Sequence, residues 1–124
     1  MIVYKEFMGE GYHEQVRMIL GADETLCPNK IIDADMNIGA MKMMISGALE
    51  SKPYLLFQGA TEQRVEAIAK AARYYLAAVI CLALKSRTSA PPYDTPKYRK
   101  DWEKKRKKCA DKGNSIMLRM MRMG

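Results

Sequence analysis

The sequence predicts an all-α protein: a small bundle of about four helices around one long central helix at residues 61–87, with extended N-terminal and C-terminal segments. Two observations carry this. From Thr61 to Arg87 the apolar residues Val65, Ile68, Ala69, Ala72, Tyr75, Leu76, Val79, Ile80, Leu82, Ala83 and Leu84 recur at three and four residues, the period of a helix with a buried face, and the alternation of a strand is absent. The rest of the chain is cut by glycine and proline into helix-length pieces. At 124 residues the chain fits one domain and buries roughly two-thirds of its unfolded surface.

Taken in order, residues 1–11 (MIVYKEFMGEG) are apolar at Ile2, Val3, Tyr4, Phe7 and Met8, and suit a short strand, an arm on a neighbouring subunit or the first turn of a helix. Tyr12 to Leu20 follows as a short amphipathic helix stopped by Gly21, with Tyr12, Val16, Ile19 and Leu20 on one face. Glu14, Gln15 and Arg17 fall on the other face, and His13 is expected on the solvated side. Pro28-Asn29 marks a turn. Asp33 or Asp35 then caps a second helix to about Ser51, with Ile38, Met41, Met44 or Ile45, Ala48 and Leu49 facing inward. Pro53 and Gly59 bound a connection whose Tyr54, Leu55, Leu56 and Phe57 are too apolar for a bare loop; they plug the end of the core or meet a neighbour.

The central helix has Thr61 as its cap, Glu62 and Glu66 toward its positive end, and Lys85 and Arg87 toward its negative end. From Tyr74 to Leu84 no residue is charged, so the helix is touched on several sides. The uncharged run is closed by Arg73 and Lys85 and falls short of the roughly 20 residues of a membrane span, so no membrane partner is expected. Residues 88–95 form a Pro-rich linker. Thr95-Pro96 opens a last helix, on which Tyr98, Trp102, Lys105, Cys109 and Lys112 share one side, with Tyr98 and Trp102 as the structural anchor. Only the first half of this helix has a convincing core face. Lys112-Gly113-Asn114-Ser115 reads as a helix stop and a new cap, dividing a helical domain at 1–112 from a Met/Arg-rich docking tail at 113–124. That tail is too apolar to be left in water, and docks on its own bundle or on a partner.

Charge is distributed unevenly. Residues 1–84 carry 8 basic against 10 acidic residues, whereas residues 85–112 carry 11 against 4, and Arg119 and Arg122 follow. The basic face at Arg99, Lys100, Lys104, Lys105, Arg106, Lys107 and Lys108 therefore suits an acidic protein surface or nucleic acid. Catalysis is not expected: the chain has no Gly-x-Ser-x-Gly, no phosphate-binding Gly-x-x-x-x-Gly-Lys-Ser/Thr and no His-Glu-x-x-His. Asp33 and Asp35 are explained by capping. The single histidine and three dispersed cysteines give no metal-ligand spacing and no disulfide framework, so neither metal nor cofactor is expected. The odd, unpaired thiols suggest a reducing compartment. No basic-then-apolar leader opens the chain, so neither secretion nor an anchor is expected.

The order and spacing of these pieces resembles the head-to-tail connector (head-completion or adaptor) proteins of tailed phages. The likeness covers residues 12–112. It rests on the short first helix, the acid-capped IIDADMNIGAMKMMISGALE, the alanine-rich VEAIAKAARYYLAAVICLAL and the basic YRKDWEKKRKK with its Tyr...Asp-Trp pattern. The tail and the KPYLLFQGA connection depart from it. The resemblance implies a structural role as a homo-oligomeric ring, commonly of twelve subunits. Such a ring sits in the virion neck, docked on the portal protein with a tail or stopper protein below and packaged DNA in the channel. On this reading Ile116, Met117, Leu118, Arg119, Met120, Met121 and Arg122 contact the portal. A small basic nucleic-acid-binding protein is the alternative.

Overall fold

The computed structural model describes residue 8 and residues 11–49, 62–85 and 96–122, and the described residues form helices joined by turns, with no strand. Among the described residues five helices follow in order: α1 (Tyr12–Leu20), α2 (Asn29–Ile32), α3 (Asp35–Leu49), α4 (Glu62–Lys85) and α5 (Pro96–Arg122). The all-α class and the dominance of the long helix are as the periodicity predicts; the single turn α2 is an addition to the expected four. The expected arm at 1–11 apart from Met8 and Gly11, the connection at 52–60, the linker at 88–95 and the caps Thr61 and Thr95 lie outside the described residues. The same holds for the side chains of Leu49, Val65, Tyr98, Arg99, Met121 and Arg122.

Helix α4 is the centre. It packs most extensively on α5, then on α3 and α1. Tyr75, Leu76, Ala77 and Ala78 are four consecutive buried residues, joined by Ile68, Ala71, Ala72, Ile80, Cys81 and Leu84. A helix buried on more than one face needs an apolar circumference and small residues where neighbours come close, and the alanines supply the latter. Leu82, placed inward by its spacing, is 48% exposed. By length and composition alone Glu66–Lys85 is apolar enough to cross a membrane, and 61% of that stretch is buried within the bundle.

Helix α1 ends in a left-handed Gly21 (φ 65°), with Gly21 N–H bonded to Met18 O and Ala22 N–H to Arg17 O, the paired closure that satisfies the last carbonyls of a helix. Its inner face is Tyr12, Val16 and Leu20. Arg17 belongs to the core rather than to the solvated face predicted for it. Nε donates to Cys27 O at 2.8 Å, one terminal nitrogen donates to Glu14 Oε1 at 2.6 Å, and the other to Asn29 Oδ1. A guanidinium can be buried when its donors are satisfied in this way, and here it ties α1 to the loop and to the start of α2.

Asp33 and Asp35 are corrected as well. Asp33 closes α2, and its carboxylate accepts from Tyr12 Oη and lies 2.9 Å from His13 Nε2 through both oxygens. His13 is thus half-buried against Asp33, with its ring 4.0 Å from that of Tyr12, and not on a free face. Helix α3 begins with Asp35 already in its first turn and Ile38 N–H bonded to Ala34 O, so its first carbonyl partner is Ala34. Ile38, Met41 and Ile45 face inward as expected, with Met44 and Ala48 at the margin.

The largest departure is in α5. It runs unbroken from Pro96 to Arg122, so the predicted stop at residues 112–115 and the separate tail are replaced by a single helix. Trp102, Cys109, Gly113, Met117 and Met120 are buried and recur at helical spacing, which extends the core face through its second half. Gly113 is a contact residue: the Tyr75 ring occupies the space where its side chain would be.

Candidate functional site

The candidate surface is the outer side of α5, where the basic run falls. The seven cations of that run, from Arg99 to Lys108, cannot all point one way on a helix, and the described side chains among them divide into two groups. Lys100, Lys104, Lys107 and Lys108 are exposed. Lys105 and Arg106 are half-buried and already committed.

Lys105 Nζ donates to Leu20 O at 2.6 Å and lies 5.7 Å from the centroid of the Trp102 ring. An ammonium at the carbonyl end of α1 favours the helix dipole there, and the contact with Trp102 adds a cation–π attraction. Gly21 is close enough that a Cβ would meet Lys105 Nζ at 3.2 Å. Arg106 Nε reaches both oxygens of Glu103 at 3.0 and 3.1 Å, and Lys85 Nζ approaches Glu103 Oε2 at 3.0 Å from the end of α4. These two cations hold the Glu103 carboxyl down at about 2, the Arg106 hydrogen bond being the larger cause. The same bond raises Arg106 above its ordinary value. Lys105 and Arg106 are therefore fastening residues, and the charge left exposed within the run is that of Lys100, Lys104, Lys107 and Lys108, with Lys112 and Arg119 exposed further along α5.

Two open grooves flank this face. One, of about 390 Å³, runs along α5 between Asp101, Lys104, Lys105, Lys107, Lys108 and Asp111. The other, of about 380 Å³, lies where α5 meets α1 and α4, between Ile19, Tyr74, Lys105, Lys108, Cys109 and Lys112. The second has only lysines as its charged border and so suits anionic groups, while in the first Asp101 and Asp111 offset part of the lysine charge.

The residues assigned to partner docking are split by the structure. Met117 and Met120 are 1% exposed and form part of the chain's own core, which corrects their placement on a partner surface: the apolar end of α5 is covered within the chain itself. Ile116 is partly buried against the same core. Leu118 and Arg119 face outward, Leu118 at 55% exposure. Met121 and Arg122 lie on the last turn of α5 with side chains outside the description. Of the anchor pair, Trp102 is buried as predicted, and Tyr98 lies on the first turns of α5.

Sequence reasoning missed a second surface. Helix α3 carries Met36 and Met43 at 82% and 76% exposure, seven residues apart, and Gly39 and Gly47 beside them have nothing within 4 Å of where a side chain would stand. The signal was present in IIDADMNIGAMKMMISGALE: α3 holds more apolar residues than one buried stripe needs. Among the described residues no group of three or more His, Cys, Asp or Glu side chains is placed to hold a metal ion. The Tyr12–Asp33–His13 cluster, which in a cleft could move a proton, instead fastens α1 to the α2–α3 junction.

Compared with known family models, curated proteins and solved structures, the chain matches none. The functional reading therefore rests on the residues themselves.

Proposed function

We propose that this chain is a non-catalytic assembly protein, a structural component of a tailed-phage virion that forms an adaptor ring between portal and tail after synthesis in the host cytoplasm. The observation that carries the proposal is the second face of α3. Ile38, Met41 and Ile45 face the core while Met36 and Met43 stand in solvent on the other side. A helix apolar on both sides is suited to burial on both sides, and repeated copies of one subunit supply the second cover in a closed ring.

The exposed lysines of α5 and the outward Leu118 and Arg119 then serve the portal, the stopper or the DNA of the channel. Sedimentation of the full chain, alone and mixed with portal rings of the phage that encodes it, tests this. Association that is lost in the Met36→Glu/Met43→Glu variant supports the proposal. A species that stays monomeric at every concentration and never co-sediments with portals overturns it.

A second reading is favoured by Lys100, Lys104, Lys107 and Lys108 standing free on one helix: direct binding of duplex nucleic acid through phosphates. Its mark is affinity that falls linearly with the logarithm of salt concentration. Replacement of Lys104, Lys107 and Lys108 by glutamine should then shallow that slope.

A further inference from the structure

Beneath the basic face lies a pair of thiols that the assembly role does not use. Cys81 on α4 and Cys109 on α5 are both buried in the core, and their thiols lie near enough across the interface of the two longest helices for each to shift the other's ionisation. Their surroundings differ. Cys109 forms part of the wall of the 380 Å³ groove bordered by Lys105, Lys108 and Lys112, with Ile19 and Tyr74 as its apolar side. Cys81 is fully buried and is not part of that wall.

The thiolate is the nucleophilic form of cysteine, and positive neighbours and hydrogen-bond donors favour it. At Cys109 the hydrogen bond from Cys81 is the main cause that lowers the thiol below its ordinary value; burial opposes it and the Lys105 ammonium assists. Cys81 goes the other way, held protonated as the donor of that bond and by burial. The third thiol, Cys27, is raised by burial, with Arg17 offsetting only part of the effect. One cysteine thus combines nucleophilic character, a lysine-bordered entrance and a second thiol in contact. A groove of this volume is at the lower end of the range that holds small molecules.

We propose that Cys109 is a thiolation site for small anionic disulfides of the glutathione type, admitted through the Lys105–Lys108–Lys112 groove, and that Cys81 resolves the adduct into a disulfide joining α4 to α5. In the first step the Cys109 thiolate attacks one sulfur of the incoming disulfide, whose S–S bond breaks and releases one glutathione thiolate. In the second, Cys81 attacks Cys109 Sγ as its proton passes to the departing sulfur; the mixed disulfide breaks and the second glutathione leaves as its thiol. The two cysteines lose two electrons between them, the glutathione disulfide gains them, and the two protons given up by the protein end on the two glutathione thiols. In a reducing compartment such a bond is transient and responds to the redox poise, and here it would lock the two longest helices together.

The test is oxidised glutathione added to the native full-length protein, followed by intact mass and peptide mapping. The expected course is reaction at Cys109 roughly tenfold faster than at Cys27, ending in loss of two hydrogens and a Cys81–Cys109 linkage. Cys81→Ser should stop the reaction at a lasting Cys109 adduct, and Cys81→Ala gives the same reading should serine disturb the fold. Lys108→Ala with Lys112→Ala, both at exposed positions, should slow the anionic probe severalfold, as should added salt. The same double variant should not slow the cationic disulfide cystamine. Equal rates at Cys27 and Cys109, no charge preference between the two probes, or a wild-type adduct that never resolves would each overturn the proposal.

Discussion

The ring of Tyr75 on α4 occupies the space a side chain would need at Gly113 on α5: a methyl group there would sit 2.7 Å from Cε1 and 2.8 Å from Cδ1. The ring cannot simply swing aside, because Tyr75 is fully buried and its hydroxyl donates to Asn114 Oδ1 at 2.5 Å, one residue beyond the glycine. A single neighbouring pair on α5 thus receives both the face and the tip of one side chain.

Gly113→Ala is therefore expected to destabilise the protein despite alanine being the better helix former. The propensity gain is about 1 kcal/mol, whereas forcing a carbon into a filled core costs about 1–3 kcal/mol and more when the obstacle is an anchored ring. Urea unfolding should show a lower midpoint with unchanged slope. A midpoint that rises would mean that the ring relocates freely.

The hydroxyl of Tyr75 makes a separate prediction. Tyr75→Phe removes a bond whose other partner, Asn114, is exposed and can turn to water, so the loss is about 0.5–1.5 kcal/mol. Asn114→Ala leaves the buried hydroxyl without that partner and should cost more, about 1–3 kcal/mol. Burial also pushes the Tyr75 phenol up to about 12. A raised acid group contributes stability that is complete below its unfolded value near 10 and is lost as pH climbs through 12. The gap between wild type and Tyr75→Phe should accordingly narrow across that window.

Met117 and Leu118 are adjacent and are expected to behave oppositely. Met117→Ala opens a cavity in the core and should cost about 2–5 kcal/mol, while Leu118→Ala, half in solvent, should stay within about 0.5 kcal/mol. Thermal melts distinguish them directly. Equal and small effects would return Met117 to the surface.

The helical class, the extent of α1 and α4 and the inward faces of α1 and α3 were legible because each follows from a period of apolar residues bounded by glycine, proline or charge. The run of α5 past residue 112 was not. Lys-Gly-Asn-Ser carries the local chemistry of a helix stop, and only the position of Gly113 in register with Trp102, Cys109, Met117 and Met120 argues that it is a contact instead. The same physical gap explains Arg17 and Asp33. Arg17 on a short amphipathic helix reads as solvated and Asp33 reads as a cap, and nothing local announces that a carbonyl of Cys27 or the ring of His13 will arrive to meet them. The candidate surface divides in the same way. Its basic character was legible from composition, but which lysines remain free was decided by Leu20 O and Glu103, which are brought there by the fold.

Arg17 offers a test of that buried network. Arg17→Lys keeps the charge but replaces a planar fork reaching three acceptors with a single ammonium, so Cys27 O or Asn29 must lose its donor. An unsatisfied buried acceptor costs about 1–3 kcal/mol. Arg17→Met, which keeps the length of the stem, should cost at least as much. The melting temperature should fall in both variants. No change in the lysine variant would show that one ammonium satisfies the same groups.

Glu103 joins α4 to α5 through Lys85 and holds Arg106 on its own helix, and its titration gives that junction a pH signature. Its carboxyl titrates at about 2 in the folded protein, against an ordinary value of 4.5. A group depressed by folding contributes stability that is present above its unfolded value and disappears as pH falls through its folded one. Wild type should therefore exceed Glu103→Gln by a constant margin from neutrality down to about 4.5, and the margin should close between there and 2. The carboxylate is 40% exposed, so salt should shrink the margin at neutral pH as well. Paired unfolding curves across this range, at low and high salt, measure it. A margin independent of both pH and salt would mean that Glu103 acts through packing rather than through its charge.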